Sequence, residues 1–126
     1  MLGNSEGFSS FAVPDLEQAK TFYGQTLGLN VFDVEEMGLL RLQIADGRDV
    51  MVYPKPDHAP AVYTILNFPV DDIEQTVDSL TERGVSFVRY DGFEQDEKGI
   101  ARGDEGPPIA WFTDPAGNIF AVIQDS

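Results

Sequence analysis

The chain has 126 residues, enough for one compact domain, with 42% hydrophobic and 24% charged residues, a globular balance. Its formal charge is −14, from 8 basic and 22 acidic residues, which repels phosphate backbones and excludes nucleic acid as a natural partner, while keeping the protein soluble and favouring a cationic ligand. There is no cysteine, so disulfides, thiolate nucleophiles and sulfur-ligated metals are excluded together.

The first residues, Met1 to Gly7, carry neither a basic region nor an apolar run, so the expectation is a cytoplasmic protein without a signal peptide. No run approaches the ~20 apolar residues a membrane-spanning helix requires, and no membrane partner is expected.

Residues 8–13 are rich in aromatic and β-branched side chains and predict a strand. Asp15 then begins a helix over 15–27: its carboxylate suits the exposed first-turn amides, and Gln18 follows at capping-box spacing. Leu16, Ala19, Phe22, Tyr23 and Leu27 form one apolar face, and Gly28 ends the helix. Strands are predicted near 30–35, 38–45 and 49–53. The proline-rich run 55–61, containing His58, is a stiff linker.

The pattern then begins again. Val13-Pro14-Asp15-Leu16-Glu17-Gln18 reappears as Val70-Asp71-Asp72-Ile73-Glu74-Gln75, an offset of 57. A strand is predicted at 62–70, a helix at 72–83 with Ile73, Val77 and Leu80 on its apolar face, and strands at 85–90, 108–113 and 118–124. Gly28-Leu29 matches Gly84-Val85 at offset 56, but Asp46-Gly47 matches Ala116-Gly117 at offset 70. The second copy is therefore longer by about 14 residues, placed between Asp91 and Pro107, where a loop of this length suits a lid or a binding loop. Arg102 within it has three candidate partners: a ligand carboxylate, Asp96 or Asp104.

The expected fold is α+β: two βαβββ modules, about 8–54 and 62–124, in a single domain spanning 1–126, forming a curved mixed sheet around a cleft. A helix covers one face of each sheet, and the other face is where a ligand should bind.

The capped repeats, together with Phe22-Tyr23, Leu27-Gly28-Leu29, Arg83-Gly84-Val85 and Trp111-Phe112-Thr113-Asp114-Pro115-Ala116-Gly117-Asn118, resemble the vicinal oxygen chelate superfamily. That superfamily includes glyoxalase I, extradiol dioxygenases, fosfomycin-resistance enzymes and bleomycin-resistance proteins. The resemblance runs from about Phe8 to Gln124. It implies metal ligands, usually His or Glu, seven residues before each capping Asp and four residues after each turn glycine. Those positions here are Phe8, Ile65, Met51 and Ala121, none with an oxygen or nitrogen donor, and a thioether suits the family's metals poorly. The resemblance thus points to the branch without a metal: no cofactor, a small-molecule ligand of cationic or aromatic character, and a homodimer.

Alternation along the strands sends Ser10, Asp49, Tyr53, Tyr63, Asn67, Ile119 and Ile123 to the same side as those four residues. Two readings stay open: an apolar pocket with polar points at Ser10, Tyr53, Tyr63 and Asn67, or a cleft filled as core. One of Trp111 and Phe112 must face the cleft. His58 sits in the linker as a rim residue. The functional expectation is metal-independent sequestration of a drug or metabolite. The alternatives are a lyase, isomerase or dioxygenase with displaced ligands such as His58 and Asp49, a metal-free enzyme using Tyr53, Tyr63 or His58 as acid or base, and a scaffold with a filled cleft.

Overall fold

A computed structural model describes residues 1–103 and 106–125. The chain divides into two compact units, Met1–His58 and Ala59–Ser126. In chain order the first holds β1 (Ser9–Val13), α1 (Leu16–Thr21), β2 (Asn30–Val34), β3 (Leu39–Ile44) and β4 (Arg48–Pro54); the second holds β5 (Thr64–Val70), α2 (Ile73–Glu82), β6 (Phe87–Val88), β7 (Ile109–Thr113) and β8 (Ile119–Gln124). Each unit is one βαβββ module. The sheet orders are β1-β4-β3-β2 and β5-β8-β7-β6, with the first pair parallel and the other pairs antiparallel in both.

The repeat seen in the sequence is a repeat of register. Ser10 pairs with Met51, and Asn67 with Ala121. The helix starts are equivalent too: Asp15 Oδ1 accepts from the Gln18 amide at 3.1 Å, and Asp72 Oδ1 from the Gln75 amide at 3.1 Å. α2 is followed by a glycine of positive φ, Gly84 at 90°, and the turn that continues α1 reaches its counterpart, Gly28 at 74°. The first helix is shorter than its apolar pattern predicts. After Thr21 the chain widens into a π-type turn over Phe22–Thr26, where the Leu27 amide donates to the Phe22 carbonyl at 2.9 Å.

On the helix side of the first sheet, Val13, Leu40, Leu42, Val50 and Val52 are buried with Ala19 and Tyr23. The second sheet packs four phenylalanines across all its strands: Phe68, Phe120, Phe112 and Phe87, with successive ring centroids 6.4, 5.5 and 5.7 Å apart. Ile73, Val77 and Leu80 of α2 are buried, as their spacing predicts.

The turn before β8 is the tightest local structure. Asp114 Oδ1 accepts from the Ala116 amide (3.0 Å) and the Asn118 amide (2.8 Å), and Oδ2 accepts from Asn118 Nδ2 (3.0 Å). Gly117 adopts φ +91°, and a Cβ there would stand 3.2 Å from Pro60.

The predicted strand 85–90 is the largest departure, since β6 has only two residues. Beyond Val88 the backbone is paired by a side chain instead of a strand. Gln95 Oε1 accepts from the Tyr90 amide (2.8 Å), while Nε2 donates to the carbonyls of Val88 (2.9 Å) and Gly99 (2.8 Å). Ala101 then takes the next ladder position beside Ile109, with bonds of 2.8 and 3.1 Å. Replacing Gln95 with alanine orphans three backbone groups and should cost about 1–3 kcal/mol. Native-state hydrogen exchange checks this: the Tyr90 amide should lose protection while the amides of β8 keep theirs.

Candidate ligand-binding faces

Each sheet turns its second face away from its helix, and register fixes which side chains stand there. In the first module one row runs Phe32, Arg41, Met51, Ser10 across four strands. Arg41 lies 4.4 Å over the Phe32 ring and pairs with Asp49 at 3.2 Å. Asp49 Oδ1 is buried without a hydrogen-bond partner. Tyr53 shares this face by alternation with Met51 and is half-exposed. A concavity of about 600 Å³ opens where β1 and β4 begin, lined by Glu6, Phe8, Asp49 and Met51 among others. Phe8 stands just before β1 and is largely exposed.

The equivalent row in the second module is Val88, Trp111, Ala121, Asn67. Trp111 is thus on the open side and Phe112 on the helix side. Trp111 and Ala121 are nevertheless buried, in a cluster with Ala101 against which Val88, Tyr90, Ile109 and Ile119 pack. The cover comes from Tyr90, just before the insertion, and from Phe93 within it. Tyr90 meets Trp111 edge-on at 5.3 Å, and Phe93 lies tilted over it at 5.1 Å. Burial pushes the Tyr90 phenol above its ordinary pKa.

The described part of the insertion is held by its own hydrogen bonds. Asp96 Oδ1 accepts from the amides of Lys98 (2.9 Å) and Ile100 (3.0 Å). Burial pushes the Asp96 carboxyl upward, but these bonds and the neighbouring Arg102 outweigh it and hold the group below the usual carboxylate range. Arg102 pairs with Glu74 at 3.1 Å and Asp96 at 3.5 Å, and Lys98 with Asp78 at 2.9 Å, so the segment is tied to α2. Of the expected partners of Arg102, Asp96 is realised and Asp104 lies outside the described residues; Glu74 was not anticipated.

Two sequence expectations meet a different geometry. A bulge in β5 sets Thr64 opposite Ile119 but Leu66 opposite Phe120, leaving Ile65 as the extra residue. Strict alternation from Asn67 through Ile65 to Tyr63 is interrupted there, and Tyr63 lies before β5 on exposed chain. His58 lies outside both sheets, in a turn where its amide donates to the Lys55 carbonyl at 3.0 Å. Sequence reasoning passed over Arg41, Tyr90 and Phe93. The 70-residue offset that links Met51 to Ala121 also links Arg41 to Trp111, so Arg41 was within its reach; the aromatic contacts of the insertion had no such signal.

Among the described residues no group of three or more His, Cys, Asp or Glu side chains stands together in a way that would hold a metal ion. The four positions that would ligate one in the superfamily carry phenyl, thioether, sec-butyl and methyl groups. They do not fit a divalent cation.

Two successive βαβββ modules of identical strand order define a class of paired-module α+β proteins. The chain belongs to the Glyoxalase/Bleomycin resistance protein/Dioxygenase superfamily, whose sequence model matches residues 8–122. Among solved structures it resembles TnmS3, an antibiotic binding protein from a Streptomyces species, at 25% identity, covering 98% of each chain with a TM-score of 0.71. A superfamily member from Sphaerobacter thermophilus is 23% identical, with 96% of this chain and 98% of that one covered and a TM-score of 0.73. The fosfomycin resistance protein FosX from Listeria monocytogenes is 16% identical, with 98% and 94% covered and a TM-score of 0.70. Among curated proteins no significant match was found. No helix among the described residues is long and apolar enough to cross a membrane.

Proposed function

We propose that this chain is a metal-independent small-molecule binding protein that sequesters a drug or metabolite. The observation that carries the reading is the chemistry at Phe8, Met51, Ile65 and Ala121: hydrocarbon and thioether where the superfamily's enzymes need donor atoms. The face turned from the helix in the second module supports it, with Val88, Trp111, Ala121, Ile109 and Ile119 around Asn67, as suits a partly aromatic ligand, while the first module's open face adds the Arg41–Asp49 ion pair. The likeness to an antibiotic binding protein agrees. A net charge of −14 favours a cationic ligand over an anionic one. In this reading residues 1–126 act as one cytoplasmic domain, with 55–61 as linker, and the protein works as a homodimer.

The test pairs elemental analysis of purified protein with calorimetry, using bleomycin and the flat cation proflavine as probes, each with and without EDTA. Substoichiometric metal and binding unchanged by the chelator are expected. One tightly held transition metal per chain would sink the proposal.

A second reading, an enzyme of the superfamily with a metal-free or non-standard site, is favoured by one observation. Asp49 keeps a buried, unpartnered carboxylate oxygen beside Arg41 on the open face of the first sheet. Turnover of a candidate substrate that Asp49→Asn abolishes would select it.

A further inference from the structure

Trp111 projects from the middle of β7 and is 9% exposed. Its neighbours along the row, Val88 and Ala121, have side chains too short to cover an indole. Tyr90 and Phe93 supply the cover, and they are held differently. The Tyr90 amide is anchored on Gln95 Oε1 at 2.8 Å. Phe93 follows Gly92, at φ +94°, and its own amide reaches only the Tyr90 carbonyl, at 3.4 Å. The turn 91–94 hangs between two fixed points, Tyr90 and Gln95. Phe93 is itself 57% exposed, so its ring gives one face to the indole and the rest to water. It can leave Trp111 without breaking any strand pairing.

A flat fused aromatic would cover the indole more completely than a tilted phenyl at 52°. We infer that Phe93 is a placeholder: its ring holds the stacking face of Trp111 and yields it to a flat aromatic ligand, making Phe93 an intramolecular competitor that sets affinity and ligand shape. This rests on the small-molecule reading above and narrows it to planar aromatics. A cationic one is preferred at a net charge of −14.

The chain has one tryptophan, so its emission reports this site alone. Wild type, Phe93→Ala and Phe93→Leu are compared by acrylamide quenching, and by proflavine polarisation at physiological salt with spermidine as a non-aromatic competitor. Phe93→Ala is expected to raise Trp111 quenching and tighten proflavine binding about two- to tenfold, the range of one aromatic pair removed from competition. Phe93→Leu should fall between. Unchanged quenching overturns the inference, because Phe93 then does not cover the indole. Weaker proflavine binding by Phe93→Ala overturns it too, because Phe93 is then a wall of the site. Displacement of proflavine by spermidine reduces the binding to surface charge and has the same effect. If quenching rises but neither proflavine nor bleomycin binds either protein, the binding reading fails with it and the contact is core packing. If both bind wild type and Phe93→Ala equally, the placeholder fails alone.

Discussion

Replacing Asp114 with alanine is expected to destabilise the protein by about 3–5 kcal/mol, measured by urea denaturation followed by far-UV circular dichroism. Asp114 is 4% exposed, and its carboxylate accepts from the Ala116 amide, the Asn118 amide and the Asn118 side chain. A methyl group in its place leaves these buried donors without their acceptor. The turn fixes where β8 begins, and β8 is an interior strand that pairs with both β5 and β7. Asp114→Asn keeps the shape and one acceptor oxygen, so about half the loss should return. A change below ~1 kcal/mol in the alanine variant would mean that the turn is held by its backbone and by Gly117 without the carboxylate.

The second large effect is expected in the first module, from Tyr23→Ala. Tyr23 is fully buried and meets Phe11 of β1 at 5.8 Å and Phe22 at 5.4 Å, both edge-on. Emptying that volume should cost about 3–5 kcal/mol, the range for a large aromatic removed from a core. Phe32→Ala is the internal control. Phe32 is also aromatic and in the same module, but it stands on the opposite face of the sheet and is 41% exposed. Its loss removes a contact with Arg41 worth about 0.5–1 kcal/mol. Equal losses for Tyr23→Ala and Phe32→Ala in the same denaturation assay would refute the assignment of helix side and open side.

The architecture is legible in the sequence because its determinants are local. The capping aspartates, the turn glycines and the apolar periods act within a few residues of themselves, so the sequence shows them directly. A duplicated pattern then implies a duplicated register, and Ser10–Met51 and Asn67–Ala121 occupy matching places. The site was legible only in part. Met51 and Ala121 take equivalent register places beside Ser10 and Asn67 because β4 and β8 are regular. Alternation does not carry through Ile65, because the bulge in β5 inserts a residue that it does not anticipate.

What the sequence alone determined, then, is two βαβββ modules, the helix starts at Asp15 and Asp72, the place of the added length in the second module, and donorless side chains at four positions. Each follows from short-range chemistry or from counting along the chain. Tertiary structure alone decided the fate of the insertion: a glutamine amide standing in for a strand at Val88 and Tyr90, ion pairs from Lys98 and Arg102 to α2, and Phe93 laid over Trp111. Those partners are separated by turns whose path no local preference dictates. Their meeting is settled by which backbone groups and which apolar surface remain unsatisfied once the two sheets have formed.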